Sequence, residues 1–375
     1  MKLYLFNPEN DIALVHGRRH FTMSPVVARL HDDGALLPLW YADGGDLVLG
    51  SCSDPGWLHD VRMKFGLDAV PVMRCDSSVV GSPWGWSFDA ARRLSAAGAS
   101  VIDDVRIGSI AALSHRRISV EVMRRLHSML PFALPPVPEE LTSCDRLSAL
   151  VSQSAVYVKA PWSSSGRGVF RVDAVDDMVA ARVNGILRRQ GSVLVESALD
   201  KRLDFAMLFR ACGGKVEWAG YSLFFNSMGD AYGGNILADD ASLEDMLVSA
   251  GASRDRLHAI RDALVVVLAE LIGDAYDGYF GVDMLLTASG MIDPCVEVNL
   301  RMTMGVVAHI LASRYVADGR VGLFRVTHGL SGADALPVVE NSRLVDGKVY
   351  LTPRSVDGFN FTMEICDHST VSNCL

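Results

Sequence analysis

Residues 281–301 constrain the fold more than any other stretch. They read Gly-Val-Asp-Met-Leu-Leu, turn through Ala288-Ser289-Gly290, and return as Val-Glu-Val-Asn-Leu-Arg. Successive side chains of a strand point to opposite faces. Val282, Met284 and Leu286 therefore share one face, and on the return Val296, Val298 and Leu300 share the apolar face. Glu297, Asn299 and Arg301 occupy the other face, and Asp283 joins them if both apolar faces meet one core. A three-residue loop centred on Gly290 sets Asp283 directly opposite Glu297. A loop centred on Ser289, with Gly290 left-handed, makes the two acids diagonal neighbours. Direct partners have Cβ atoms roughly 4.5–5.5 Å apart. Two carboxylates held that close repel unless a proton or cation lies between them. Carboxylate oxygens with a carboxamide beside them suit Mg²⁺, which favours carboxylates together with substrate phosphates. The competing reading is a solvated polar face.

A second constellation is Tyr157-Val158-Lys159-Ala160-Pro161-Trp162-Ser163-Ser164-Ser165-Gly166-Arg167-Gly168-Val169. A lysine ends a strand and a loop of small residues follows. Consecutive backbone N–H groups and hydroxyls in such a loop bind phosphate oxygens, glycine permits close approach, and lysine adds a point charge. A plain hairpin is the bland alternative. The segment is not a Walker A loop, since no Gly-Lys-Ser/Thr follows. A strand rather than a helix comes next, so it is not a dinucleotide fingerprint either. A third segment, residues 193–204, is a strand running into a polar bend at Glu196-Ser197-Ala198-Leu199, then a new strand holding Asp204.

The 375 residues carry 44 acidic against 35 basic side chains, a net charge of -9. That balance argues against nonspecific nucleic-acid binding, which rests on a basic surface. Half the residues are hydrophobic, which excludes a disordered chain. Seven scattered cysteines form no CxxC pair, so neither a disulfide framework nor a zinc site is read from them. The expected compartment is reducing and cytoplasmic. No apolar run approaches the roughly 18 residues of a membrane span, so neither membrane nor nucleic acid is an expected partner.

Short apolar runs at residues 2–6, 36–40, 47–49, 69–72 and 100–102 read as strands of an open α/β unit over roughly the first 110 residues. Ser87 is placed to cap a helix ending before Gly98, and residues 81–86 read as a surface loop. The four-residue spacing of Ile118, Val122 and Leu126 predicts a helix over 114–126. Strands follow at 156–159, 169–172, 193–196, 204–211 and 215–225, the last two joined by Gly213-Gly214. Helices are expected at 174–190, from a Ser253 cap to Gly273, and near 306–316.

Taken in order, Lys159 with its Ser/Gly loop, the Glu196 bend, the Asp283 strand and the Glu297-x-Asn299-x-Arg301 strand resemble the ATP-grasp superfamily over roughly residues 110–317. The resemblance implies an α/β and α+β architecture, with two α+β lobes clamping ATP behind a small N-terminal open α/β domain. The implied divisions are 1–110, an ATP-grasp domain at 111–329 (small lobe about 135–198, large lobe about 199–329), and an extension at 330–375 with no assigned role. By the same resemblance Lys159 binds the ATP phosphates, and Ser163, Ser164, Ser165, Gly166 and Gly168 form the loop closing over them. Glu196, Ala198 and Leu199 make the adenine hinge and Asp204 faces the ribose. Asp283, Glu297 and Asn299 hold Mg²⁺, with Mn²⁺ as a substitute. Arg301 matches the family's catalytic arginine, with Lys159 as a second catalytic cation. Arg116 stands where a lysine is usual, which keeps the charge but changes the donor geometry.

The implied reaction joins a carboxylate to an amine or thiol through an acyl phosphate, releasing ADP. Its partners would be small-molecule or peptide carboxylates and amines, and a homodimer is compatible. A small-molecule kinase and a non-catalytic nucleotide-binding module are the alternatives, and hydroxylamine separates a ligase from a kinase. For the acceptor, residues 7–11 follow the first strand, where open α/β sheets place ligands. His16, Arg18, Arg19, His20, Arg210 and residues 232–235 rank behind them, and Trp84 and Trp86 read as packing residues. The assignment requires Asp283 and Glu297 on one sheet face with Lys159 within reach.

Overall fold

Lys2–Leu5 (β1) opens the chain as an apolar strand and stops at Asn7-Pro8, because proline has no N–H to continue a ladder. The computed structural model describes residues 1–162, 168–226, 232–330, 335–372 and 374. Two compact units make up the chain. Unit 1 comprises Met1–Ile107, Tyr221–Leu243 and Arg301–Leu375, and unit 2 comprises Gly108–Gly220 and Glu244–Leu300.

In unit 1, β1 is joined by Leu47–Leu49 (β2), Val70–Val72 (β3) and Val80–Pro83 (β4) in a parallel sheet of order β3-β2-β1-β4. Ser87 caps the helix Phe88–Ala96 by accepting the Ala90 N–H at 3.2 Å, as its position predicts. Three sequence expectations are corrected here. Leu37–Trp40 is a fully buried 3₁₀ turn rather than a strand, since Pro38 removes a ladder donor. The 81–86 stretch is not a surface loop: Val80–Pro83 is a strand, and Gly81 faces Leu94 so closely that a Cβ would sit 2.9 Å from its Cδ1. Residues 100–102 contribute only an isolated bridge, from Ser100 to Val80.

Unit 2 begins at Gly108, within the helix Asp104–Leu113, and its next helix, Arg117–Met129, starts later than the predicted 114. Glu139–Leu141 (β5), Val156–Lys159 (β6), Val169–Val172 (β7) and Val193–Ser197 (β8) form an antiparallel sheet of order β5-β8-β6-β7. Val156, Val158, Val172, Val193 and Val195 alternate inward and bury against Val183 and Ile186 of the helix Asp177–Gln190. Each such buried side chain contributes about 1.5–3 kcal/mol, so this face holds the sheet flat against its helix and fixes where Lys159 leaves it. Lys201–Cys212 (β9) and Lys215–Asn226 (β10) are linked by Gly213 and Gly214, both at positive φ (55° and 74°), the turn conformation that favours glycine. The strand β10 runs from unit 2 into unit 1, where Tyr232–Leu237 (β11) pairs with its end. Back in unit 2, Gly278–Thr287 (β12) pairs antiparallel with both β9 and Ile292–Asn299 (β13).

The C-terminal segment belongs to unit 1. It adds Val321–His328 (β14), Val338–Glu340 (β15), Arg343–Asp346 (β16), Lys348–Tyr350 (β17) and Phe359–Cys366 (β18). The strand β18 pairs with β14 along eight residues, and Phe361 and Met363 are fully buried. The last segment is thus built into the core of unit 1. Among the described residues no helix is long and apolar enough to cross a membrane.

Candidate functional site

The hairpin β12–β13 sets the acids by a register change. At its tip, the Thr287 N–H donates to the Met291 carbonyl (2.9 Å), and Leu286 faces Ile292 and Leu285 faces Asp293. Ala288, Ser289 and Gly290 make the loop, with Gly290 at φ 79°. This is the Ser289-centred turn, which alone would leave Asp283 and Glu297 diagonal. Between Leu285 and Asp283, however, β13 spends four residues where β12 spends two. Pro294 lies in this bulge, where its missing N–H breaks no ladder bond. Beyond it Asp283 faces Glu297 directly, Val282 faces Val298, and Gly281 faces Asn299. The two acids and Asn299 therefore share a face, and Asn299 Nδ2 donates to Asp283 Oδ2 at 2.8 Å. On the other side of β12, Ala206 faces Asp283 and Asp204 faces Leu285, so Asp204 stands one strand repeat along the same face. Lys201 Nζ contacts Asp204 Oδ2 at 2.8 Å.

Arg116 and Lys159 are buried cations of unit 2, and Arg116 pairs with Glu297 of this arrangement. Arg116 is 5% exposed. Its Nη2 donates to Glu297 Oε2 at 2.9 Å and its Nη1 to the Ala160 carbonyl at 2.6 Å, while its own N–H donates to the Pro161 carbonyl at 3.1 Å. Ala160 is the residue after Lys159, so one guanidinium spans the exit of β6 and the acid on β13. Lys159 is 6% exposed and its Nζ pairs with Glu196 Oε1, whose backbone lies opposite Tyr157 in the β6–β8 ladder. Asp283 and Glu297 share a face, and Arg116 links Glu297 to Ala160, the residue after Lys159. The Ala198 N–H donates to the Ala155 carbonyl (2.9 Å), and Leu199 beside it is half-buried.

The base of the small-residue loop is closed by Ala160, whose N–H donates to the Gly168 carbonyl at 2.8 Å, with Gly168 at φ 82°. Ser163, Ser164, Ser165 and Gly166 lie outside the described residues. Trp162, at the loop's entrance, exchanges two hydrogen bonds with the Gln190 side chain and meets the His115 ring edge-on at 4.3 Å. His115 Nδ1 accepts the Arg117 N–H at 3.0 Å, which satisfies a first-turn donor of the helix Arg117–Met129. Burial, reinforced by the Arg117 charge, lowers the His115 pKa to about 4.

Asp293 is a further acidic residue of this hairpin that strand alternation does not point to. It lies at the bulge, buried, and accepts the Cys295 N–H at 3.2 Å. Burial and the neighbouring Glu196 carboxylate raise its pKa to about 6, against the pull of that N–H and of Lys159. An Asp-Pro pair interrupting an apolar strand was the available signal, since it marks both a bulge and a buried acid. Next to it the Cys295 thiol is fully buried, which pushes its pKa well up, and all seven cysteines are free.

Arg301 lies in unit 1. Its Nε and Nη2 form a two-pronged pair with the Asp11 carboxylate, at 2.7 to 3.0 Å. Of the acceptor candidates at residues 7–11, Asp11 is thus the one that pairs with Arg301. The remainder of that segment is bound internally: Asn7 Nδ2 donates to the Gly85 carbonyl at 2.8 Å, and Glu9 Oε1 accepts from Arg93 at 3.0 Å. Trp84 and Trp86 are buried, as packing residues should be. Arg19 pairs with Asp104, Arg210 lies 5.7 Å over the Tyr279 ring, and Tyr232 bonds Asn235. None of these three contacts involves Lys159, Asp283 or Glu297.

Among the described residues no three His, Cys, Asp or Glu side chains converge. Two carboxylates and one carboxamide oxygen on one face instead leave further positions to water and phosphate oxygens, which fits Mg²⁺.

No protein-family model matches the chain, and no curated protein does. Solved structures do. The chain is similar to the biotin carboxylase–β,γ-ATP complex of Campylobacter jejuni, at 12% identity and TM-score 0.52, covering 97% of this chain and 87% of that one. It is equally similar to the biotin carboxylase domain of Hydrogenobacter thermophilus 2-oxoglutarate carboxylase, a dimer in complex with MgADP, ADP and bicarbonate. That match has 12% identity and TM-score 0.52, covering 98% and 86%. A protein from Archaeoglobus fulgidus also matches, at 14% identity and TM-score 0.45, covering 98% and 100%. At these identities the likeness establishes the fold.

Proposed function

Because the chain carries the ATP-grasp fold, we propose that it is an ATP- and Mg²⁺-dependent ligase. It would join a carboxylate to an amine or thiol through an acyl phosphate. The observation supporting this reading is the span of Arg116 between Glu297 and the Ala160 carbonyl, which brings the acid pair and the exit of the lysine strand within one guanidinium's reach.

The difficult step sets a carboxylate against a polyanionic phosphate. Two like unit charges 4 Å apart repel by about 4 kcal/mol at an effective dielectric of 20. Lys159 and Arg116 are buried cations whose charge offsets that repulsion. Arg116 brings a fork suited to phosphate oxygens, and Lys159 a point charge. Asp283, Glu297 and Asn299 would hold the metal, which supplies further charge neutralisation at the transferring phosphoryl group. Asp204 is the hydroxyl-directed carboxylate in this reading, and the 196–199 backbone meets the base. Arg301, oriented by Asp11, is the candidate for stabilising charge during transfer.

The test uses purified protein with ATP, Mg²⁺ and a panel of acids and amines, reading ADP release. Hydroxylamine added to the acid and ATP yields a hydroxamate if an acyl phosphate forms, and none if a hydroxyl is phosphorylated. Lys159→Ala and Glu297→Ala should each weaken ATP binding at least about tenfold, a change of 1.4 kcal/mol. If both variants bind and turn over ATP like the parent, the reading is wrong.

A further inference from the structure

We propose that Arg116 is a built-in counter-ion that occupies Glu297 when no metal is bound, and so makes metal binding depend on the nucleotide. The inference rests on the metal-site reading above. Three observations carry it. Arg116 is buried, so its charge is poorly screened and must be matched inside the protein. Its Nη2 sits on Glu297 Oε2, the carboxylate directly opposite Asp283. Its Nη1 and its backbone N–H are both fixed to the β6 exit, at the Ala160 and Pro161 carbonyls. The guanidinium is thus anchored at one end by backbone and offers its other prong to the acid.

A divalent cation on Glu297 brings positive charge against this buried guanidinium, and where it takes Oε2 it displaces Nη2 from its carboxylate, which is unfavourable. A phosphate oxygen is a chemically matched replacement, since the fork of arginine pairs with phosphate as it does with carboxylate. Metal alone therefore binds against the arginine, whereas metal arriving with a nucleotide gives Arg116 a new partner. Such coupling is reciprocal: the nucleotide tightens the metal by the same factor as the metal tightens the nucleotide. A lysine here would be different. A single ammonium is a compact point charge on a flexible stem and does not present the two parallel prongs that tie Glu297 to the backbone. The arginine at this position is the chain's departure from the lysine expected in the sequence, and the structure gives that departure a consequence.

Mn²⁺ is the probe, with free metal read by its electron paramagnetic resonance signal, so no turnover is needed. Each protein is titrated with Mn²⁺ alone, and again in the presence of ADP. In the parent, ADP should tighten Mn²⁺ strongly. In Arg116→Gln, Mn²⁺ alone should bind about tenfold tighter than in the parent, or 1.4 kcal/mol, and the effect of ADP should shrink by a similar factor. Arg116→Lys retains a cation for the Ala160 carbonyl and guards against misfolding of the first variant. It should move both quantities in the same direction by less. Mn²⁺ affinity that is unchanged or weaker in both variants overturns the proposal. Glu297→Gln and Asp283→Asn separate this from failure of the site itself. If those two bind Mn²⁺ like the parent, the metal assignment fails, and the proposal about Arg116 falls with it.

Discussion

Replacing Asp293 by asparagine should stabilise the protein at neutral pH and leave it little changed below pH 4. The side chain is buried at the β13 bulge, and its pKa rises from 3.8 to about 6, chiefly through burial and then through Glu196. The folded protein therefore holds this proton more tightly than the unfolded chain. Stability falls with pH wherever the folded state binds more protons. The contribution is fully present below pH 3.8, is lost as the pH rises towards about 6, and is flat above. The full effect is the shift of about two units multiplied by 1.36 kcal/mol per unit, or roughly 3 kcal/mol. Asparagine has nearly the same shape, keeps an oxygen for the Cys295 N–H, and cannot ionise. The assay is urea unfolding of parent and variant from pH 3.5 to 8, without nucleotide or metal, taking the difference at each pH so that other carboxylates cancel. The expected difference grows from near zero at pH 3.5 to a few kcal/mol in favour of the variant by pH 7. A difference that stays level across this range, or a variant less stable at pH 7, would refute the burial argument.

Two further outcomes follow from the same geometry. His115 has its pKa lowered to about 4, so its contribution is present above pH 6.5 and lost as the pH falls through about 4. In His115→Asn, which retains an acceptor for the Arg117 N–H, thermal unfolding between pH 6.5 and 4 should show a shallower decline than the parent. Gly85→Ala drives a Cβ to within 2.4 Å of Asn10 Cγ, beside the Asn7–Gly85 bonds. It should destabilise by about 1–3 kcal/mol, the usual range for overpacking, measurable by denaturant unfolding.

The sequence made the period-2 features legible and concealed the rest for identifiable reasons. The strands around Lys159 and the face shared by Glu297 and Asn299 follow from alternation, which is a local property. The Ser87 and Ser253 caps were readable for the same reason, being set by residues within one turn. Leu37–Trp40 misled because four buried apolar residues satisfy either a strand or a turn, and only the missing Pro38 donor distinguishes them. Ser100 looked like a strand start but has a single bridge partner, which depends on the distant Val80. The pairing of Asp11 with Arg301 joins residues 290 positions apart, so no local pattern encodes it.

The hairpin shows most clearly how register and chemistry depend on each other. Carrying the tip pairing straight down the ladder would set Asp283 opposite Cys295, with Glu297 a step beyond. The two extra residues in β13 shift the lower half so that acid meets acid instead. A one-step error in strand pairing moves a side chain to the other face, but a two-residue bulge restores the face while moving the partner. The apolar pattern of the strand is therefore the same with or without the bulge, and packing alone does not demand it. What the bulge changes is the distance between two carboxylates, which is unfavourable unless a cation is there to meet them. Arg116 fills that role on Glu297, and Asn299 donates to Asp283. In the site proposed above, a divalent ion and a phosphate would take over the compensation that Arg116 and Asn299 give the two acids.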